Sequence, residues 1–397
     1  AAPALPDPDQ GAVAPRQAEA RLFVDPGVNQ SLRIAWVSPP DLSPDTRAKR
    51  RRDLIETLGL AVLNRRLSAL ARAPDPPFLS AGAYKGDQDD AAEIAAITVN
   101  AEAGRWRDAL QAAERETRRL ATYGVRQDEL DREIEEIRAG LRAAAAGAAT
   151  RRPADLAQEI LRSLPDDTVV TSPAEDLAEF EAAVKGLRAE TVNAALREVF
   201  TGQGPLVFMT SPTPVPGGQA AVLAALTQSQ KTAVTPPPQP RQVSWPYASF
   251  GAPGEVAERR EIEDLGTTFV RFANGVRLTV KPTAFRDDEV LVRVNVGDGM
   301  LGLPKDRQSP YWAANAIIEG GLKKISVEDM ERVLAAKVYG ARLSLTDDSI
   351  ALTGATRTED LPTQLQVLAA YLTEPAWRES AFLRIQAAGK TIHDQYE

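Results

Sequence analysis

Apolar and polar residues alternate at the start of the chain, and the alternation predicts strands at Ala20 to Val24 and Ser31 to Val37, the second with Leu32, Ile34 and Trp36 on one face. The period then changes. Leu54, Leu58 and Ala61, flanked by Ile55 and Val62, recur at the three-and-four spacing of a long helix, for which Ser43 or Asp45 is the expected cap. Strand-like runs return at Phe78 to Tyr84 and Ile94 to Val99. From Arg105 to about Phe200 the pattern is helical, with Trp106, Leu110, Ala113 and Leu120 on one stripe and Leu130, Ile134, Ile137 and Leu141 on another. Gly124, Pro153, Pro165 and Pro173 are the expected breaks, and Pro205 to Met209 is again a strand. Strands, a long helix, strands, helices and a closing strand describe helices packed on a sheet.

A second block repeats this logic. Phe269 to Phe272 and Val276 to Val280 flank Asn274-Gly275, a hairpin signal, and Glu289 to Val296 follows as a strand. Helices are expected at Tyr311 to Glu319 and Val327 to Ala336, a strand pair at Ala341 to Leu345 and Ile350 to Gly354, and helices at Leu361 to Leu372 and from Trp377 onward. Residues 211–260 between the blocks are Pro-rich, with a short Ala/Leu helix near Ala220 to Thr227, and Trp245, Tyr247 and Phe250 are expected to anchor this connector against a neighbouring domain. The first block, residues 19–210, therefore reads as one sandwich domain with helices packed on a sheet, and the second block occupies residues 261–397. Residues 1–18 form a linker, and the second domain looks C-terminally incomplete because its last apolar repeat, Phe382, Ile385, Gly389, Ile392 and Tyr396, runs to the final residue.

Composition then removes whole classes of chemistry. Zero cysteines in 397 residues exclude disulfides, thiolate nucleophiles and Cys-ligated zinc, and one histidine, His393, excludes any motif that needs two imidazoles. A net charge of -8 gives no field to attract phosphate backbones, so nucleic acid is not expected as a partner, and no apolar run reaches the ~20 residues of a membrane span.

Three local motifs invite functional readings. Gly297-Asp298-Gly299-Met300-Leu301-Gly302 fits GxGxxG, yet Pro304 and Pro310 postpone the next helix, so a Gly-rich turn is the better reading than a dinucleotide site. Arg47, Lys49, Arg50, Arg51 and Arg52 place cations in the first turns of a helix, where the macrodipole disfavours them, and read as a solvated face whose arginines pair with carboxylates elsewhere. Glu133, Glu135 and Glu136, interleaved with Arg132 and Arg138, imitate a catalytic carboxylate pair, but Arg132 and Glu136 at i, i+4 read as surface pairing.

The stretch Phe272 to Thr283 followed by Asp288-Glu289-Val290 resembles the opening hairpin of a domain in the M16 (pitrilysin, insulinase-like) zinc metallopeptidases. Glu319-Gly320-Gly321-Leu322-Lys323-Lys324-Ile325-Ser326, Tyr339-Gly340-Ala341, Asp347-Asp348-Ser349 and Asp360-Leu361 are similar to that family's later segments, in the same order. In the first block, Leu63-Asn64-Arg65-Arg66-Leu67 and Tyr123-Gly124-Val125 leading to Glu129-Leu130 resemble the family's second domain. The resemblance implies tandem α/β domains, usually four, of which the first carries HxxEH: two imidazoles and a distal Glu bind zinc, and the motif's Glu is general base to the metal-bound water. Here the positions matching that motif are Trp312, Asn315 and Ala316: Trp has no available lone pair for a metal, Asn cannot act as a base, and Ala has no functional group.

The resemblance therefore implies the fold class α+β, two sandwich domains of helices packed on a mainly antiparallel sheet, in a segment comprising a second domain and most of a third. It helps wall a peptide-binding chamber, carries no cofactor itself, and depends on zinc and a general base from an upstream catalytic domain. A metal-free structural or partner subunit, paired with an HxxEH-bearing subunit, is the alternative. Peptide or unfolded polypeptide is the expected partner, added as an extended strand to a sheet edge. The bacterial periplasm or secretion is the expected location, with the cytoplasm as the other.

Overall fold

The computed structural model describes residues 11–165, 167–239, 242–306 and 312–396. In the first unit, β1 (Glu19–Val24), β2 (Ser31–Ser38), β3 (Ser80–Gln88), β4 (Ala92–Asn100) and β5 (Gln203–Ser211) form a five-stranded sheet in the order β1-β5-β2-β4-β3. All neighbours are antiparallel except β1 and β5. The alternation read from the sequence places Leu32 and Ile34 of β2 opposite Met209 and Val207 of β5, and all four are at most 2% exposed.

Helix α1 (Arg47–Ala71) lies across this face and buries Ile55, Leu58, Val62, Leu63 and Leu67, each such side chain contributing roughly 1.5–3 kcal/mol. Its cap is Thr46, whose hydroxyl accepts from the Lys49 amide at 3.2 Å; Asp45 is instead engaged by Arg50, and Ser43 turns to Asp41. Helices α2 (Trp106–Tyr123), α3 (Gln127–Ala146), α4 (Pro153–Ser163), α5 (Pro173–Val184) and α6 (Ala189–Val199) follow. Three of the four breaks between them fall at the expected residues, Pro165 and Pro173 sharing one, and the fourth falls at Gly186, whose φ of +68° ends α5 in a left-handed turn. Helix α7 (Gly218–Lys231) packs on α2 and β1 and adds Val222, Ala225 and Leu226 to the same core. The connecting stretch proper thus begins after Lys231.

The second unit holds two three-stranded sheets. One joins β6 (Val256–Ile262), β7 (Thr267–Phe272) and β8 (Arg277–Val280), the β7/β8 turn being made at Gly275 with φ +88°. The other is formed by β9 (Val290–Val296), β10 (Arg342–Leu345) and β11 (Ile350–Thr356) in the order β10-β11-β9. Helices α8 (Ala316–Glu319), α9 (Val327–Val333), α10 (Leu361–Thr373) and α11 (Glu379–Tyr396) accompany them. The helix expected from Tyr311 is interrupted by a turn at Ala314 and Asn315, and Tyr311 lies outside the described residues. Leu322, Ile325, Met330, Leu352, Val367, Leu368 and Tyr371 form the core.

Trp245 and Tyr247 insert into this second core as anchors. The Trp245 indole donates to Gln366 at 2.9 Å, the Lys324 amide donates to the Tyr247 hydroxyl at 3.1 Å, and the two rings meet edge-on at 5.4 Å. Phe250 stacks on Tyr247 while remaining 46% exposed.

Candidate functional site

The residues that carried the resemblance prove to be clamps between elements. Asn64 on α1 grips the main chain of β3, donating to the Ala83 carbonyl at 3.0 Å and accepting from its amide at 2.6 Å. Arg66 forks onto Glu129 at 2.9 and 2.6 Å and donates to the Gly124 carbonyl at 3.1 Å, tying α1 to the α2–α3 corner. A Cβ at Gly124 would collide with Asn193, whose side chain accepts from the Val125 amide. In the second unit Gln364 on α10 brackets Gly340, accepting from its amide at 2.8 Å and donating to its carbonyl at 2.7 Å. Asp360, with no exposed surface, receives Lys337 at 2.9 Å, the Val338 amide at 2.9 Å and Arg357 at 2.5 Å. Burial pushes its carboxyl up, but these three donors together hold it below the usual carboxylate range.

The three positions matching the metal motif do structural work. Trp312 lays its ring 5.8 Å from that of Phe382 on α11, Asn315 precedes α8 and its carbonyl accepts from the Glu319 amide, and Ala316 opens the helix. The neighbouring Glu319 is held by Arg384 at 2.6 Å. Among the described residues there is no group of three or more His, Cys, Asp or Glu side chains placed to hold a metal ion. His393 lies exposed on α11.

The GxGxxG segment is a tight turn docked against the β10–β11 connection. Met300 and Leu301 donate to the carbonyls of Thr346 and Asp347 at 2.9 Å, and a Cβ at Gly299 would strike the Ser349 amide. Close backbone approach, rather than a phosphate, explains that glycine. In the basic run, Arg47 pairs with Glu179 at 2.9 Å, Arg52 with Asp41 at 2.5 Å, and Arg50 with Asp45 at 2.8 Å and the Val169 carbonyl at 2.6 Å, so these three arginines each meet a carboxylate outside the run.

A large concavity lies between the two units. It is a cleft of about 720 Å³ lined by Arg65 and Arg72 of α1, Glu136 of α3, Glu331 of α9, Tyr339, and Arg384 of α11. Arg65 reaches Glu133 at 2.6 Å, Glu136, and Glu331 across the cleft at 3.2 Å, while Arg72 reaches Glu331 at 3.2 Å and Glu328 at 3.7 Å. The pair expected between Arg132 and Glu136 is replaced: Arg132 engages its neighbour Glu133 at 3.1 Å, and Glu136 turns to Arg65, because Glu133 is buried where the helices meet. Burial raises the Glu136 carboxyl despite Arg65, and burial pushes the Tyr339 and Tyr371 hydroxyls up.

No family model matches the chain, and no curated protein matches it. Solved structures do. The periplasmic protease PqqL from Escherichia coli superposes over 94% of this chain and 42% of its own, at 16% identity and a TM-score of 0.51. The ferredoxin protease FusC, captured as an E83A mutant in complex with Arabidopsis ferredoxin, covers 96% of this chain and 43% of its own, at 14% identity and a TM-score of 0.55. Pitrilysin covers 94% and 39%, at 12% identity and a TM-score of 0.50. The chain has the fold of the pitrilysin-type proteases. It spans about two fifths of their length. Among its described residues no helix is long and apolar enough to cross a membrane.

Proposed function

We propose that this chain is a non-catalytic part of an M16-type peptidase, two sandwich units that wall a peptide-binding chamber while an HxxEH-bearing domain supplies zinc and the general base. The observation that carries the reading is the superposition of nearly the whole chain on proteases more than twice its length, combined with Trp312, Asn315 and Ala316 at the motif positions. The substrate is peptide or unfolded polypeptide, and the compartment is the bacterial envelope, in line with the periplasmic location named for PqqL. The chain's own contribution is scaffold and surface: Arg65, Arg72 and Glu331 set the spacing of the two units, and the cleft between them offers charged side chains to a polypeptide.

The test combines metal analysis with turnover. The purified chain is expected to retain no zinc after dialysis and to leave a mixed fluorogenic peptide library uncut. Co-expressed with the HxxEH-bearing polypeptide of its source, it is expected to restore chelator-sensitive cleavage. Zinc-dependent cleavage by the chain alone would refute the reading.

A further inference from the structure

The sheet of the first unit has one covered face and one open face. Helices α1, α2 and α7 pack on the face that carries Leu32 and Ile34. On the other face the strand registers set Arg21, Phe208, Arg33, Thr98 and Gly82 in one row running from β1 to β3, and Leu206, Ala35, Ala96 and Tyr84 in the next. An antiparallel sheet tolerates water on one face when the residues there are polar. Here three aromatic rings stand on it: Phe23 is 49% exposed, Phe208 48% and Tyr84 40%.

Arg33 lies half-buried in the middle of this face. Arginines at comparable depth elsewhere are paired: Arg65 and Arg66 on α1, Arg132 and Arg138 on α3, and Arg384 on α11 each meet a carboxylate at 2.6 to 3.1 Å. Among the described residues no carboxylate or carbonyl reaches Arg33. Its guanidinium carbon lies 5.6 Å from the centre of the Tyr84 ring, its Nε is buried with no acceptor, and its terminal nitrogens open to solvent. A cation–π contact uses the plane of the guanidinium and leaves its edge donors unfilled. Gly82 and the small side chains of Ala35 and Ala96 keep the surrounding surface low. The acid on this face, Glu19, is already taken by Arg16 and Arg21 at 3.3 and 3.5 Å. In a chain of net charge -8, an open and unneutralised cation between aromatic rings calls for a carboxylate from outside.

We propose that the open face of the first sheet is a docking surface for acidic, aromatic-bearing stretches of unfolded polypeptide, with Arg33 receiving an Asp or Glu carboxylate while Phe208, directly opposite it on β5, and Tyr84 supply apolar contact on either side. Arg33 is then a specificity-determining residue: the rings hold many sequences, and the unpaired fork favours those that bring a negative charge. The proposal deepens the peptidase reading by naming the kind of polypeptide held, and rests on that reading only for polypeptide being the ligand.

Fluorescence anisotropy on the 397-residue chain tests it, with short labelled peptides of Ser and Gly that carry Glu-Phe, Gln-Phe or Glu-Ala at their centre. The Glu-Phe peptide is expected to bind about ten-fold tighter than Gln-Phe, a margin that salt narrows, and about five-fold tighter than Glu-Ala. Arg33→Gln should erase the margin between Glu-Phe and Gln-Phe without lowering Tm, whereas Arg51→Gln, at an exposed position on α1, should leave it intact. Equal affinity of the parent chain for Glu-Phe and Gln-Phe, which needs no variant to fold, would overturn the proposal, as would a margin that survives Arg33→Gln. A dimer in sedimentation that Phe208→Asp splits would overturn it too, because a second copy of the chain would then cover the face. The zinc and turnover measurements move independently: a chain that ignores acidic peptides can still restore cleavage with its HxxEH-bearing polypeptide, and one that fails to restore it can still bind them.

Discussion

Replacing Gly59 with Ala sets two physical terms against each other at one buried position. In an exposed helix interior the change stabilises by about 1 kcal/mol, because Ala has the higher helix propensity and restricts the unfolded chain. Gly59, however, sits where α1 crosses α6, and a Cβ there would lie 2.5 Å from Cγ of Leu196 and 2.6 Å from both of its methyl carbons. Ordinary carbon contacts are about 3.5–4.0 Å, so three atoms are overlapped by roughly 1 Å. Leu196 is 2% exposed and closed in by the same core, so its side chain has little room to swing aside. Relief therefore requires α6 to move away from α1, an overpacking cost of about 1–3 kcal/mol. The expected net result is a loss of about 1–2 kcal/mol, read as a lower urea midpoint with unchanged slope and a fall in Tm of a few degrees. Leu196→Ala alone should cost about 2–5 kcal/mol, but distinctly less when Gly59→Ala is already present, because it removes the overlap. A Gly59→Ala protein as stable as the parent, or strictly additive effects in the double variant, would refute the account.

Asp360→Asn should destabilise by about 3 kcal/mol, because it leaves the buried Arg357 with the surface residue Glu359 as its remaining acidic partner. The depressed Asp360 carboxyl contributes stability that is complete above its unfolded value of 3.8 and is lost as pH falls through the lower folded value, so acid unfolding of the variant should show a shallower limb below pH 4. Arg65→Met should cost about 2–3 kcal/mol in urea unfolding, chiefly by leaving Glu133 to Arg132 alone, and a cycle with Glu331→Gln should return a coupling of only about 0.5–1 kcal/mol because Glu331 is partly exposed. Tyr247→Phe removes the acceptor of the Lys324 amide and should lower stability by about 1 kcal/mol without altering the far-UV circular dichroism.

Much of the architecture was legible because it is periodic. The Leu32, Ile34 and Trp36 alternation, the α1 spacing, the Asn274-Gly275 turn and the aromatic anchors at Trp245 and Tyr247 all depend on neighbours within a few residues, and each is where the sequence placed it. What escaped depends on distant partners. Thr46 displaces Ser43 and Asp45 as the α1 cap because those two are occupied by Asp41 and Arg50, and α7 joins the first core because Ala and Leu fit against α2, neither of which local pattern encodes. The Glu trio looked like a surface ladder since α1, which supplies Arg65, is some 70 positions away. The motif positions Trp312, Asn315 and Ala316 could be read for chemistry but not for their packing on α11.

The connector has a mechanical consequence. Arg119, Tyr123 and Arg126 donate to the carbonyls of Thr235, Val234 and Pro238, pinning its first half to α2 and the start of α3, and Trp245 and Tyr247 bury its far end in the second unit. Only the seven chain steps from Pro238 to Trp245 separate the two anchors, a reach of at most about 25 Å. Each unit therefore meets the other at a local concentration in about the millimolar range, so the individually weak ion pairs of Arg65 and Arg72 with Glu331 form as intramolecular contacts, and they should weaken as salt rises.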